Sequence, residues 1–199
     1  MIAVVDYGRG NLGSVQKALA ELAPRVVVTD DPVTVARADT LVVPGDGAFA
    51  DAMASLERLG LGDPIRAHIA TGRPYLGICL GYQLLFTESE EFGHAKGLDI
   101  LPGVVRRFPP GLKVPHMGWN RLWHDGTLPL LEGIPSGAYF YFVHSYYVVP
   151  KDSGVIATET NYSTAFCSMI WRDNLLATQF HPEKSQRQGL QMLANFAAM

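Results

Sequence analysis

The stretch Arg73-Pro74-Tyr75-Leu76-Gly77-Ile78-Cys79-Leu80-Gly81 decides how this chain folds and where its chemistry lies. The apolar segment from Pro74 to Ile78 predicts a short buried strand. The residues that follow, Tyr-Gln-Leu-Leu-Phe at 82–86, predict the start of a helix. Cys79 therefore stands on the turn between a strand and a helix, with a glycine two residues away on each side.

A tight turn of this kind is the cysteine form of a nucleophile elbow, which places one side chain at the strand tip. Glycines are needed because the backbone is strained and neighbouring chain comes close. The helix start beneath the sulfur favours the thiolate over the thiol. The pattern thus predicts that Cys79 is a nucleophile and not merely a small buried apolar residue.

A second motif, Phe180-His181-Pro182-Glu183, follows a predicted strand over residues 174–180. Residues i and i+2 of an extended chain point the same way, and Pro182 is expected to keep the segment extended. Glu183 can then orient the imidazole of His181 while His181 takes the proton of Cys79, as in a catalytic triad. Alone, the motif would be typical of an exposed turn; beside the cysteine elbow it predicts a general base and its orienting carboxylate.

A third motif, Pro44-Gly45-Asp46-Gly47, follows a predicted strand over residues 40–43. Glycine backbone at a strand tip can aim N–H groups at a developing oxyanion. We expect the backbone of Asp46 and Gly47 to form this hole together with the N–H of Leu80, the residue after the nucleophile. By itself the signal is weak, because an ordinary β-to-α turn has the same composition.

Composition excludes several classes of protein. The chain has 199 residues, 18% of them charged, and a net charge of −3, which fits one compact domain over residues 1–199 with no basic block for nucleic acid. No apolar run is long enough to span a bilayer. Cys79 and Cys167 are the only cysteines, and with no secretory signal this predicts a reducing cytoplasm, with Cys167 as a core thiol. No Cys/His spacing suggests a metal, and no cofactor is expected.

The order of predicted elements indicates an α/β fold. Strands alternate with helices in the first half, and the middle is rich in strands and turns. The predicted strands are 2–5, 25–28, 41–43, 74–78, 104–107, 139–149, 154–159, 165–171 and 174–180, and the predicted helices are 11–22, 49–59, 64–70 and 188–198. We expect an open, mostly parallel sheet flanked by helices, with additional antiparallel strands. The elbow and His181 both fall at C-terminal strand ends, where such sheets bind ligands.

With these motifs the chain resembles the class I (triad-type) glutamine amidotransferases, cysteine glutaminases that deliver ammonia to a partner. The resemblance runs from Ile2 to Phe196. Within that class the chain is most similar to the glutaminase subunits of imidazole glycerol phosphate synthase, from histidine biosynthesis. Four stretches carry the narrower similarity: Asp6-Tyr7-Gly8-Arg9-Gly10-Asn11, Pro115-His116-Met117-Gly118-Trp119-Asn120, Tyr141-Phe142-Val143-His144-Ser145-Tyr146 and Phe180-His181-Pro182-Glu183-Lys184-Ser185.

The resemblance implies L-glutamine as the substrate and assigns further residues to its binding. Gln83, one helical turn after Cys79, matches a glutamine that helps hold the substrate. Ser145 and Tyr146 match positions that hold the α-amino and α-carboxylate ends, largely through the main chain. The resemblance also implies that the backbone of Gly45 and Gly47 lines the pocket.

A partner is also implied, a (β/α)8-barrel cyclase subunit of imidazole glycerol phosphate synthase that forms a heterodimer with this chain and receives the ammonia. Asn11, Met117, Trp119 and Asn120 are candidates for the interface, since exposed Trp and Met are enriched in interface cores. The chain departs from the family at Asp46, where an apolar residue is frequent. A carboxylate beside a developing oxyanion would be unfavourable, but the expected donor is backbone, so the side chain can point to solvent.

Three other interpretations stay open at this point. The chain could be the glutaminase subunit of another synthase, such as one for anthranilate or pyridoxal phosphate. It could be a stand-alone cysteine hydrolase acting on peptides or esters, which would need no partner. It could also be an inactive regulatory α/β module, although an intact Cys79, His181 and Glu183 argue against that.

Overall fold

The computed structural model describes residues 1–199 and shows one large sheet of eleven strands and a separate sheet of two. The strands are β1 Ile2–Val5, β2 Val26–Thr29, β3 Thr40–Val43, β4 Tyr75–Ile78, β5 Phe86–Ser89, β6 Ala95–Lys96, β7 Leu101–Arg107, β8 His116–Leu122, β9 Ala138–His144, β10 Tyr146–Pro150, β11 Ile156–Asn161, β12 Ala165–Arg172 and β13 Leu175–Thr178. The helices are α1 Leu12–Ala20, α2 Pro32–Arg37, α3 Phe49–Arg58, α4 Gly62–Ala70, α5 Leu80–Gln83 and α6 Gln186–Ala197. None of the helices combines the length and the apolar character that a membrane span requires.

The large sheet has the strand order β2-β1-β3-β4-β13-β12-β10-β7-β5-β6, with β11 paired to β12. The five strands from β2 to β13 run parallel, and β12 and β10 pair with their neighbours antiparallel. The predicted fold class, a mostly parallel open sheet with added antiparallel strands, is therefore confirmed. The two-stranded sheet consists of β8 and β9.

Helices cover both faces of the parallel strands, so side chains on each face are buried. Leu41 and Val43 pack in one apolar cluster with residues of α2, α3 and α4, whereas Val42 packs in a second cluster with residues of α1, α6 and β9. This explains why the strands appear in the sequence as continuous apolar runs without alternation.

The strands that end in the three predicted motifs are neighbours in the sheet. Register pairs Val43 of β3 with Gly77 of β4, and Thr178 of β13 with Ile78 of β4. Because parallel strands end at the same edge, the turn after β3, Cys79 after β4 and His181 after β13 converge at one place.

Local structure differs from the sequence expectation after Cys79. The helix there is a single turn, α5, and the chain enters β5 at Phe86. Leu84, Leu85 and Phe86 are all fully buried, and carbonyl oxygens of this segment accept N–H groups from residues 98–101. A run that is apolar on every side suits a buried extended segment and not an amphipathic helix. Since four residues carry little macrodipole, α5 can stabilise a thiolate on Cys79 less than the longer helix that was expected.

Other elements also differ: β5, β6 and β8 were not predicted, and the strand predicted over residues 139–149 is divided into β9 and β10. The segment Pro182–Lys184 forms a turn of 3-10 helix, so the expectation that Pro182 keeps the chain extended is wrong. Helix α2 was not predicted, although Asp31 caps it by accepting N–H groups from Val33 and Thr34 and Pro32 occupies its first turn.

Candidate active site

Cys79 adopts the strained backbone conformation of an elbow, with φ 56° and ψ −106°. Positive φ in a residue other than glycine is costly and concentrates at functional sites. The flanking glycines are needed for close approach: a Cβ on Gly81 would lie 1.8 Å from the carbonyl oxygen of Val43, and one on Gly77 would lie 2.8 Å from the oxygen of Gly81. The predicted reason for both glycines therefore holds.

His181 and Glu183 form a buried pair although the chain between them is not extended. Nδ1 of His181 lies 2.8 Å from Oε1 of Glu183, and the two side chains are 7% and 1% exposed. The backbone N–H of His181 donates to the carbonyl of Tyr141, and the hydroxyl of Ser185 donates to the carbonyl of His181. The helical turn thus brings the carboxylate back to the ring, so that the imidazole is held at Nδ1 and the backbone of His181 is held at both its N–H and its carbonyl.

The electrostatics of His181 suit a base next to a nucleophile. Nε2, the ring nitrogen not facing Glu183, has no partner with hydrogen-bond geometry. Burial lowers the pKa of His181, but the charge of the neighbouring Cys79 sulfur and the carboxylate of Glu183 outweigh burial, and the net pKa lies above its ordinary range. The imidazolium form is therefore favoured when the sulfur is ionised.

A residue that sequence reasoning missed contacts the sulfur. Gln179 is fully buried, and its Nε2 lies 3.7 Å from Sγ of Cys79, a distance suited to a sulfur acceptor. On the other side, the carbonyl oxygen of Val143 lies 3.8 Å from the same sulfur. The available signal was a glutamine in the mostly apolar stretch, residues 175–180, that precedes His181.

The glycine turn after β3 does not offer an open oxyanion hole. The N–H of Leu80, the expected donor, points at the carbonyl oxygen of Gly45 at 3.4 Å. The peptide between Gly45 and Asp46 thus presents its oxygen where an N–H was expected. Tyr7 donates its hydroxyl to the carbonyl of Pro44 at 2.8 Å, which holds the start of the turn.

The side chain of Asp46 is exposed but not free. Its Oδ1 accepts the backbone N–H of Gly10 at 3.0 Å, so the expectation that it simply points to solvent needs correction. The loop carrying Gly10 packs against the turn, since a Cβ on Gly10 would lie 3.1 Å from the Cα of Gly45. The carboxylate therefore ties the turn after β3 to the loop after β1.

A cavity of about 370 Å³ joins these pieces and has a size suited to a small metabolite. All the residues predicted for catalysis or substrate binding line it: Gly45, Asp46, Gly47, Cys79, Leu80, Gln83, Ser145, Tyr146, His181 and Glu183. Asn11, predicted for the interface, also lines it. Lining residues that the sequence reasoning did not assign are Pro44, Ile78, Glu91, Pro115, Val143, His144 and Lys184.

Gln83 is a wall residue of the cavity and not an exposed helix glutamine. Its side chain is buried, and Nε2 lies 3.0 Å from both the carbonyl of Tyr146 and Oε1 of Gln179. These contacts connect the one-turn helix α5 to Tyr146 at the start of β10 and to Gln179, the residue beside the sulfur.

The predicted interface residues fall on different faces. Met117 and Trp119 are 61% and 46% exposed on the outer face of β8, so Trp119 is not a core residue. The amide of Asn120 points to the other face, where Nδ2 lies 3.2 Å from Nε2 of His116 and 2.9 Å from the carbonyl of Asn161. Asn11 caps α1, accepting the N–H of Ser14. No cluster of three His, Cys, Asp or Glu side chains has the geometry of a metal site.

Comparison with known proteins places this site in context. The family model described as glutamine amidotransferase class-I matches residues 3–199. The imidazole glycerol phosphate synthase subunit HisH of Syntrophotalea carbinolica is 55% identical, with 100% of each chain covered. The subunit of the same name from Aquifex aeolicus is 54% identical, covering 97% of this chain and 94% of its own. A crystal structure of a glutamine amidotransferase superposes with a TM-score of 0.74 over 100% of both chains at 20% identity, a likeness of fold.

Proposed function

This chain belongs to the class I glutamine amidotransferase family, and from that premise we propose that it is the glutaminase subunit of an imidazole glycerol phosphate synthase. It hydrolyses L-glutamine to glutamate and ammonia and serves histidine biosynthesis through a partner subunit. Identity of 55% to a HisH subunit over the whole chain supports this pathway over anthranilate or pyridoxal phosphate synthesis. The observation that carries the chemistry is an elbow cysteine beside a buried His181–Glu183 pair.

In the first half of the reaction, the sulfur of Cys79 attacks the side-chain carbonyl carbon of glutamine. His181 holds the proton taken from the thiol. The carboxylate of Glu183 accepts a hydrogen bond from Nδ1 of His181 and so fixes the ring with Nε2 facing the reacting atoms. The carbon–nitrogen bond then breaks, and the proton on Nε2 goes to the leaving nitrogen. The products are ammonia and a γ-glutamyl thioester on Cys79.

In the second half, water attacks the thioester and gives its proton to Nε2 of His181. The carbon–sulfur bond breaks, glutamate leaves, and the proton returns to the sulfur. Glu183 stays ionised throughout, since its role is to orient the imidazole and stabilise its charged form. The amide of Gln179 beside Sγ stabilises the anionic sulfur in both halves.

Each half of the reaction passes through a tetrahedral intermediate whose oxyanion needs hydrogen-bond donors. In the resting structure the turn after β3 does not present them, because the N–H of Leu80 is bonded to the carbonyl of Gly45. We assign them to the backbone N–H groups of Leu80 and, after rotation of the peptide between Gly45 and Asp46, of Asp46, with Gly47 giving the turn its freedom. Gly47 has φ 86°, a conformation that costs glycine little. A missing donor costs about 10²- to 10³-fold in rate. The isolated chain is therefore expected to be nearly silent.

The proposed partner is a (β/α)8-barrel cyclase that docks on the outer face of β8 and receives ammonia through the interface. A sealed path has a physical reason, because ammonia in neutral water is mostly protonated and ammonium is not a nucleophile. Met117 and Trp119 supply the exposed apolar surface for docking. We further propose that residues 1–199 act as one amidotransferase domain in the cytoplasm, consistent with two unpaired cysteines.

The decisive experiment measures glutamine hydrolysis in three states: the isolated chain, the chain with a barrel subunit, and that complex with its nucleotide ligand. The expected result is a low rate that rises by orders of magnitude in the last state. Full activity in the isolated chain would instead indicate a stand-alone cysteine hydrolase. No activity in any state would indicate the regulatory module.

A further inference from the structure

Two histidines that no step of the proposed reaction uses lie buried behind the glutamine pocket. His116 of β8 and His144 of β9 are direct cross-strand partners, and they are 4% and 6% exposed. Nδ1 of His116 lies 2.9 Å from Nε2 of His144. His144 also lines the active-site cavity. The two rings are links in a longer chain of hydrogen bonds that reaches the nucleophile.

The direction of each hydrogen bond in this chain follows from its ends. The carbonyl of Tyr146 can only accept, so Nδ1 of His144, at 2.8 Å, must carry a hydrogen. Nε2 of a neutral His144 is then an acceptor, and Nδ1 of His116 must donate to it. Nε2 of His116 is left as an acceptor for the amide of Asn120, whose other hydrogen goes to the carbonyl of Asn161. Each ring is thereby fixed in its Nδ1–H form.

The chain continues on the substrate side. The carbonyl of Tyr146 also accepts from Nε2 of Gln83 at 3.0 Å, and the same amide donates to Oε1 of Gln179 at 3.0 Å. Nε2 of Gln179 in turn lies 3.7 Å from Sγ of Cys79. An unbroken run of polar contacts thus leads from Asn120 on β8 to the sulfur.

Both rings must be neutral for this arrangement to exist. Burial lowers the pKa of His116 to about 4 and that of His144 to about 3. A second proton on His144 would set its Nε2–H against the Nδ1–H of His116. At neutral pH the pair is therefore a fixed element and not a switch.

We propose that His116 and His144 are positioning residues for glutamine: they hold the carbonyl of Tyr146, and with it residues 144–146 and the amide of Gln83, where the ends of the substrate bind. This proposal rests on the proposed function. A carbonyl that accepts from two buried donors cannot rotate without losing both bonds. The neighbouring carbonyl of Ser145 is also engaged, by the N–H of Phe108.

The test compares two substitutions at His116 in the chain assembled with its barrel subunit and nucleotide. His116→Phe keeps an aromatic ring between Phe142 and Tyr162, whose ring centroids lie 5.0 and 4.0 Å from that of His116, but removes the hydrogen bonds. His116→Asn loses the stacking ring but keeps a donor near the position of Nδ1. The readouts are KM for glutamine, kcat and the melting temperature.

The expected result is a KM about tenfold higher for His116→Phe, with kcat within about threefold of wild type and substantial recovery of KM in His116→Asn. A merely structural role would instead track ring packing, leaving His116→Phe near wild type and His116→Asn impaired. That outcome overturns the proposal, and so does an unchanged KM in both variants.

A measurement on the unsubstituted chain keeps the proposal testable if His116→Phe does not fold. Nitrogen-15 spectra of the imidazole rings report which nitrogen carries the hydrogen. Nδ1–H in both His116 and His144 is expected, and Nε2–H in either ring overturns the proposal. This readout needs no activity, so failure of the proposed function, which would appear as absent glutaminase activity in the wild-type complex, is distinguishable from failure of the positioning role.

Discussion

The two sides of the active site differ in how closely the resting structure matches the geometry that the proposed reaction needs. On the side of β4 and β13, the side chains of Cys79, His181 and Glu183 are buried, and His181 is hydrogen bonded through both its ring and its backbone. On the side of β3, the turn presents the carbonyl of Gly45 to the N–H of Leu80, the reverse of what an oxyanion requires. We interpret this difference as a site in which the proposed nucleophile, base and orienting carboxylate are already in place, whereas the orientation of one peptide unit leaves the proposed oxyanion hole closed.

The largest effect is expected from removing the nucleophile. Cys79→Ala should abolish glutamine-dependent synthesis in the partnered enzyme, a loss on the order of 10⁴-fold or more. Synthesis driven by added ammonium salt at raised pH serves as the control, and it should persist because the cyclase site is untouched. Glutaminase activity near wild type in Cys79→Ala would show that the groups at the ends of β4 and β13 do not carry the reaction.

A smaller loss is expected from the base and its orienting carboxylate. His181→Asn should lower kcat for glutamine hydrolysis by about 10²- to 10⁴-fold, the usual contribution of a general base. Glu183→Gln should cost less, because it leaves the imidazole in place and removes only the charge that holds its Nδ1–H. Steady-state kinetics of both variants in the complex check this order. An unchanged rate in Glu183→Gln would exclude Glu183 from the triad and leave Cys79 standing.

Acid should lower the free energy of unfolding through protonation of the buried histidine pair, His116 and His144. The folded-state pKa of His116 is about 4, below the 6.5 of an unperturbed histidine, so as pH falls through this window the unfolded state binds the proton first. The free energy of unfolding therefore falls as the pH drops from about 6.5 to about 4, by about 3 kcal/mol at most. Above pH 6.5 this contribution to stability is fully present. Denaturant unfolding of wild type and His116→Phe across this range is the measurement, and the variant should show a flatter profile. Parallel profiles would mean that folding does not lower the pKa of His116.

The smallest effect is expected from a change in the turn after β3, which carries Asp46. The bond from Gly10 N–H to the carboxylate of Asp46 secures the resting turn, so Asp46→Ala should raise glutamine hydrolysis by the isolated chain about tenfold, equivalent to about 1.4 kcal/mol. Asp46→Asn is the matched control, because it removes the charge but keeps an acceptor oxygen. Only Asp46→Ala should be faster if the bond holds the turn; both should be faster if the negative charge alone disfavours the oxyanion. No gain in either variant would contradict a role of Asp46 in the resting state.

Local patterns in the sequence were enough to identify Cys79, His181 and Glu183 as candidate catalytic residues. Cys79 between two glycines, His181 with Glu183 at a strand end and the alternation of strands and helices each depend on neighbours a few residues apart. They predicted the fold class and the strand-to-helix turn at Cys79 with its glycines, whereas Gln83, Ser145 and Tyr146 were assigned only through the resemblance to a family, and seven residues of the cavity lining were not assigned. They failed where a short apolar run had to be assigned, since Leu84 to Phe86 suits a helix or a buried strand equally well without knowledge of its neighbours.

Local sequence was sufficient to indicate which groups meet, because parallel strands must end at a common edge and their tips carry Gly45, Cys79 and His181. The orientation of those groups depends on contacts that form only in the folded chain. The contacts of Gln179 with the sulfur, of His116 with His144 and of Asp46 with Gly10 join residues 28 to 100 positions apart. The direction of a peptide on a glycine turn is set by such distant contacts, each a small energy, and a local pattern cannot encode it.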